Sequence, residues 1–169
     1  QEVASRYGVT SRVTPNVMDF DSPPPSPHAY TESVRADFGI EPDEYFFLQP
    51  TRVIQRKGIE HAIELMRRLE LPAKLIISHA SGDEGNDYEQ RVREYANLLD
   101  ITVRFESDQV QDVRGTTADG KKIYTLGDVY PGADMVTYPS AIEGFGNAFL
   151  EAVYYRRLIL VNNYSIYEV

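Results

Sequence analysis

Apolar positions recur along this chain in two alternating rhythms. Tyr45-Phe46-Phe47-Leu48 is a short unbroken apolar run, as a strand buried on both faces shows. From Gly58 to Leu69 the spacing changes, and Ile59, Ala62, Ile63, Leu65, Met66 and Leu69 predict a helix with one buried face. The pair repeats: Lys74 to Ile77 predicts a strand, and Tyr88 to Leu99 predicts a helix with Val92, Tyr95, Ala96 and Leu99 on one side. Ile101 to Phe105 adds a third strand. The polar interval from 107 to 122 carries an Asp119-Gly120 turn signal, so an exposed loop or hairpin is expected there. The rhythm resumes with a short helical piece over Leu126 to Ala133, a strand at Met135 to Tyr138, a helix from Phe145 to Tyr155 and a strand at Leu158 to Val161.

Continuous apolar strands alternating with helices predict an α/β fold, a Rossmann-like parallel sheet with helices on both faces and right-handed crossovers. Ligands of such sheets bind at the carboxyl ends of the strands, so the strand-to-helix turns carry the most functional weight. Ahead of the first strand, Pro15-Asn16 and Ser22-Pro23-Pro24-Pro25-Ser26-Pro27 favour turns and extended backbone. Residues 1 to 28 therefore read as a connector, and residues 29 to 169 as one ligand-binding domain.

Composition narrows the function classes. The chain has no cysteine, which removes disulfide frameworks, thiolate chemistry and cysteine-bound zinc. A formal net charge of −9 argues against a nucleic-acid partner, so any phosphate must be met in a local pocket. No apolar run is long enough to cross a membrane, and a cytoplasmic home is expected. The chain opens at Gln1 without an initiating Met or a leader-like segment, which reads as a fragment.

One turn concentrates candidate chemistry. Pro139-Ser140-Ala141-Ile142-Glu143-Gly144-Phe145-Gly146-Asn147 follows a strand and opens a helix, where unpaired N–H groups and the positive end of the helix dipole attract phosphate. The glycines allow close approach of a ligand to the backbone. Glu143 lies in the turn, and Glu151 lies about two helical turns on, where a carboxylate can accept hydrogen bonds from vicinal hydroxyls such as those of a ribose.

Taken together, Ala133-Asp134, Pro139-Ser140, Glu143-Gly144-Phe145-Gly146 and Leu150-Glu151-Ala152 resemble the signature of the large group 1 (family four) glycosyltransferases, which include sucrose, trehalose and lipopolysaccharide sugar transferases. The two glutamates have seven residues between them, as that signature requires. Upstream, Arg52 and Lys57-Gly58 follow the first strand at the spacing this family uses for its diphosphate-binding arginine and lysine. The resemblance implies a GT-B fold in which this chain is the C-terminal, donor-binding domain and the acceptor domain is absent. It implies that Arg52 and Lys57 bind the diphosphate and stabilise charge growing on the leaving phosphates. It further implies donor contacts near Gly144, Phe145, Gly146 and Asn147, with Glu143 on the donor sugar and Glu151 on the ribose. A hexose would pass from a nucleotide-diphosphate sugar with retention of anomeric configuration, without metal or other cofactor.

Several positions depart from the family pattern. Thr51 stands where a glycine commonly precedes the arginine, Tyr154, Arg156 and Leu158 replace a small-residue, glycine and proline run, and Tyr164-Ser165 replaces a glycine pair ahead of Glu168. Asp19-Phe20-Asp21 has the form of a metal-binding Asp-x-Asp, but in a proline-rich connector it reads as a solvated turn. His79 follows a strand and could approach the cleft, though it reads rather as a loop histidine satisfied by backbone, and Asp83, Glu84 and Asp87 read as a helix-start acidic cluster. The alternatives to a transferase are a non-catalytic nucleotide-sugar-binding module and a nucleotide-sugar epimerase or phosphorylase-like protein of the same frame.

Overall fold

A computed structural model describes residues 6–8, 17–82 and 86–163. After the connector come helix α1 (Val34–Asp37), strand β1 (Tyr45–Gln49), a single 3₁₀ turn at Gln55–Lys57, helix α2 (Ile59–Leu69), strand β2 (Ala73–Ile77), helix α3 (Asp87–Leu98) and strand β3 (Thr102–Phe105). A hairpin of β4 (Gly115–Thr116) and β5 (Lys122–Ile123) precedes helix α4 (Leu126–Val129), strand β6 (Met135–Tyr138), helix α5 (Asn147–Tyr154) and strand β7 (Leu158–Val161). The main sheet runs in the order β3-β2-β1-β6-β7, and all its pairings are parallel.

The pleat explains why the strands read as unbroken apolar runs. Phe46 and Leu48 of β1 and Ile76 of β2 enter one core with Val34, Phe38, Tyr130 and Ala152. Phe47, Leu75 and Ile77 enter the opposite core with Ile59, Ile63 and Met66 of α2 and Val92 and Ala96 of α3. Successive residues thus feed opposite faces, and each face is roofed by helices. The expected α/β sheet covered on both sides is what forms.

The expected elements form with small shifts at their ends. The polar interval does make a hairpin, closed where Gly120 N–H donates to Thr117 O at 3.0 Å. The helix expected over Leu126 to Ala133 stops at Val129 and tightens into a 3₁₀ turn at Tyr130–Gly132, beside Pro131, whose ring removes an N–H donor. The helix expected from Phe145 starts at Asn147, because Gly146 in front of it has φ +88°. Helix α1 was not expected from the sequence; at four residues it is too short to show a period.

Among the described connector residues, 17–28 form neither helix nor strand. They lie on the sheet-capping elements: Tyr154 O–H donates to Pro23 O at 3.2 Å, and its ring meets Phe20 edge-on. Asp19 caps its own turn, accepting from Asp21 N–H at 3.0 Å and from the Ser22 hydroxyl at 2.7 Å, so the Asp-x-Asp sequence serves a solvated turn. Pro15-Asn16, Asp83-Glu84, Tyr164-Ser165 and Glu168 lie outside the described residues. No helix among the described residues is long and apolar enough to cross a membrane.

Candidate functional site

The chain runs from β1 outward to β2 and β3, then returns to place β6 and β7 on the other side of β1. The strand order therefore reverses between β1 and β6, and crevices at the carboxyl ends of strands open at such reversals. A cavity of about 440 Å³ lies there, walled by Pro50, Thr51, Arg52, Arg56 and Lys57 beyond β1, His79 beyond β2, and Tyr138, Glu143, Phe145, Gly146, Asn147 and Ala148 around the start of α5. Arg52, Lys57, Glu143, Phe145, Gly146 and Asn147 are thus brought to one cavity. Gly144 and Glu151 are not in its walls.

Two loops build this cavity and are locked to each other. Ala141 N–H donates to Arg56 O at 2.8 Å, and Gly58 packs against the same neighbouring loop. Gly58 has φ +59°, and a Cβ there would stand 2.7 Å from the Pro139 carbonyl oxygen. Glycine is required twice over, by the left-handed backbone and by the close approach. The loops are thereby held at the separation at which the Lys57 ammonium donates to Glu143 Oε1.

The Lys57–Glu143 pair is the electrostatic centre. Both side chains are about nine-tenths buried, at 10% and 9% exposure. Arg56 adds a looser contact to the same carboxylate oxygen at 3.4 Å and reaches Ile142 O at 3.2 Å. The Lys57 ammonium also lies 5.2 Å from the centre of the Tyr138 ring. Burial, the largest single influence, pushes the Glu143 carboxyl up, but Lys57, Ser140 and Tyr138 together outweigh it and hold the group below the usual glutamate range, so it is ionised at neutral pH. The fully buried Ser140 hydroxyl finds no partner at hydrogen-bonding geometry among the described residues, yet lies close enough to Glu143 to favour its charge.

Arg52 is exposed and lines the cavity, and no ion pair to it is found among the described residues. Thr51, the residue standing where a glycine was expected, is buried and accepts from Gln49 Nε2 at 2.9 Å. Gln49 in turn accepts from the Thr137 hydroxyl at 2.6 Å, so Thr51 ends a buried polar chain that stitches β1 to β6 beneath the cavity floor.

Glu151 faces a smaller neighbouring cavity of about 300 Å³ that it shares with Val17, Met18, Asn147 and Leu150. Asn147 borders both cavities and links them. Tyr130 O–H donates to Glu151 Oε2 at 2.7 Å, and burial holds the Glu151 carboxyl above the usual glutamate range although that bond lowers it.

Two wall residues were not selected from the sequence. Arg56 carries no local signal, because its contact with Glu143 spans 87 positions. His79 corrects the expectation of a backbone-satisfied loop histidine: its Nδ1 meets the Ser78 hydroxyl at 2.7 Å, and its ring lines the cavity. Asp87 does stand in the first turn of α3. Chemically, the cavity offers a buried ammonium, an exposed guanidinium, a helix start and an ionised carboxylate within one volume, a set that matches a phosphorylated polyol.

Comparison with known proteins gives a family. The family model described as Glycosyl transferases group 1 matches residues 31–169. A mannosylglucosylglycerate synthase of Petrotoga mobilis is 30% identical over 186 residues, covering 99% of this chain and 43% of that protein. A mannosylglucosylglycerate synthase of Thermotoga maritima is 29% identical over 184 residues, covering 99% of this chain and 41% of that protein. The chain thus spans less than half the length of these relatives. Among solved structures, Anabaena Alr3699/HepE in complex with UDP-glucose superposes with a TM-score of 0.64 at 17% identity, over 80% of this chain and 34% of that one. The C-terminal domain of a glycosyl transferase group 1 family protein, LpcC from Francisella tularensis, gives 0.60 at 19% identity, over 86% of this chain and 70% of that one. These likenesses establish the GT-B type of fold.

Proposed function

The chain belongs to the glycosyl transferases group 1 family, and we propose that it is the donor-binding half of a hexosyltransferase that uses a nucleotide-diphosphate sugar and retains the anomeric configuration. The observation that carries this reading is the meeting of Lys57, Arg52, Glu143 and the start of α5 at the strand-order reversal. On this reading the diphosphate lies against Arg52, Lys57 and the backbone N–H groups near Gly146 and Asn147. As the sugar leaves, negative charge grows on the phosphate oxygens, and cations already in place stabilise it without reorganisation. The cavity supplies these cations itself, so no metal is assigned a step.

Glu143 takes the donor sugar. Held ionised and oriented by Lys57, it accepts from sugar hydroxyls while the ammonium, with three protons to give, is shared with phosphate. Glu151 takes the ribose across Asn147. The acceptor is brought by the part of the protein that this chain does not span, so the chain alone binds donor and turns over little. A cytoplasmic setting completes the proposal. The relatives' name favours a narrower reading, a product of the mannosylglucosylglycerate class.

The test is calorimetry and product analysis on the full-length protein with a panel of nucleotide-diphosphate sugars, with the anomeric proton coupling of the product read by NMR. Transfer with the donor's own configuration is expected. Folded protein that binds no nucleotide would sink the donor site. Binding without transfer would make the chain a non-catalytic binding module, and recovery of an epimerised donor would make it an epimerase.

A further inference from the structure

His79 stands two residues beyond β2, on the partition between two cavities. One is the phosphate-suited cavity of Lys57 and Glu143. The other, of about 620 Å³, has apolar walls from Val110, Val113 and Leu126, and polar atoms from Asp112 and Thr125. Walls that mix these apolar side chains with Gln111, Asp112 and Thr125 suit a heterocycle carrying hydrogen-bond donors and acceptors. A ligand that fills both volumes passes His79 on the way.

We infer that His79 is a further ligand-binding residue, donating Nε2–H to the nucleoside part of the ligand where it leaves the diphosphate and enters the second cavity. This rests on the donor-site reading given above, and it adds a contact that neither the glutamate pair nor the Arg52–Lys57 pair supplies.

The geometry fixes which nitrogen is used. Nδ1 is engaged by Ser78, whose side chain is fully buried, at 2.7 Å. A ring so held turns Nε2 away from Ser78, toward the cavities that His79 borders. When the Ser78 hydroxyl donates to Nδ1, the ring proton resides on Nε2, which is the tautomer this contact uses. The ring is also kept uncharged. Burial lowers its affinity for a second proton, Asp112 opposes that, and Arg52 and Lys57 lower it further, leaving the group below the ordinary histidine range. A third cation would repel the two already facing the phosphates; a neutral donor adds a directed bond without that cost.

The experiment compares wild type, His79→Leu and His79→Gln in the full-length protein, by calorimetry with inorganic pyrophosphate, UDP, GDP and ADP. Glutamine keeps an N–H donor near the position of Nε2; leucine keeps bulk and removes it. For the nucleoside diphosphate that wild type prefers, His79→Leu is expected to weaken binding about three- to tenfold, as one neutral hydrogen bond requires, with pyrophosphate held within about twofold. His79→Gln should return most of the loss. In wild type, the His79 Nε2–H resonance should shift with nucleotide and stay in place with pyrophosphate, a readout that holds even where a variant fails to fold. Unchanged nucleotide affinity in His79→Leu, equal loss for pyrophosphate and nucleotide, or a static resonance each overturns the inference while leaving the donor site standing. Wild-type protein that binds no nucleoside diphosphate overturns both.

Discussion

Replacing Lys57 by methionine removes the cation from a buried pair while keeping most of its volume. Glu143 then remains about nine-tenths buried with Arg56 at 3.4 Å, partly exposed, as its nearest cation. Breaking a buried pair from one side costs roughly 3 kcal/mol, which for a chain of this size corresponds to about 6–12 °C in Tm. The sign with pH follows from Glu143. In wild type its carboxyl is lowered from the ordinary 4.5, so it adds stability above that pH and loses it as pH falls through its folded value. In Lys57→Met, burial, the largest influence on the group, stands without its main opponent and raises the carboxyl, so the cost appears as pH rises above the ordinary value. The gap between wild type and variant should therefore be widest at neutral pH and narrow on acidification. Thermal denaturation followed by circular dichroism near neutral pH and in mild acid measures it, and adding Glu143→Gln to Lys57→Met should recover part of the lost stability. A gap of equal size at both pH values, or a double variant no better than the single, would refute the charge argument and leave packing as the cause.

Two further outcomes follow from the same geometry. Gly58→Ala must adopt φ +59° and press a methyl against the Pro139 carbonyl oxygen, so urea denaturation should show a loss of about 2 kcal/mol or more; a loss well below 1 kcal/mol would mean that the two loops are not locked. Glu151 has a carboxyl raised by burial, so its ionisation costs the unliganded fold stability as pH rises above 4.5. Glu151→Gln should consequently melt higher than wild type at neutral pH and level with it in acid, while binding ribose-bearing nucleotides about tenfold more weakly and pyrophosphate nearly as before. Parallel loss for both ligands would contradict the ribose role.

The sheet was legible because β1, β2 and β6 sit between two cores and so are apolar at most positions, a pattern few other elements produce. The turn after β6 was legible because a glycine pair, a strand before it and a helix after it coincide. What the chain order concealed was pairing at a distance. Lys57 read as a ligand-facing cation, and it also pairs with Glu143, 86 positions away. Glu151 read as a site carboxylate, but its separation from Glu143 by α5, and its hold by Tyr130, depend on how that helix lies on β6. The Tyr130 contact has no local signal at all. Thr51 looked like a lapse in a motif until Gln49 and Thr137 supplied the hydrogen bonds that give it a place.

The direct pairing of β1 with β6, Phe47 opposite Met135 and Leu48 opposite Val136, has an evolutionary reach. Those two strands carry the two locked loops that hold Lys57 and Glu143, and the chain from β3 to β5 is an excursion outside that pair. The stretch around Val110 to Val113 belongs to the excursion. If the second cavity takes the nucleoside as proposed, mutations there would change which base it admits while Lys57 and Glu143 stay paired. Selectivity and reactivity are in this way written on separate pages of one chain, and a lineage can revise the first without erasing the second.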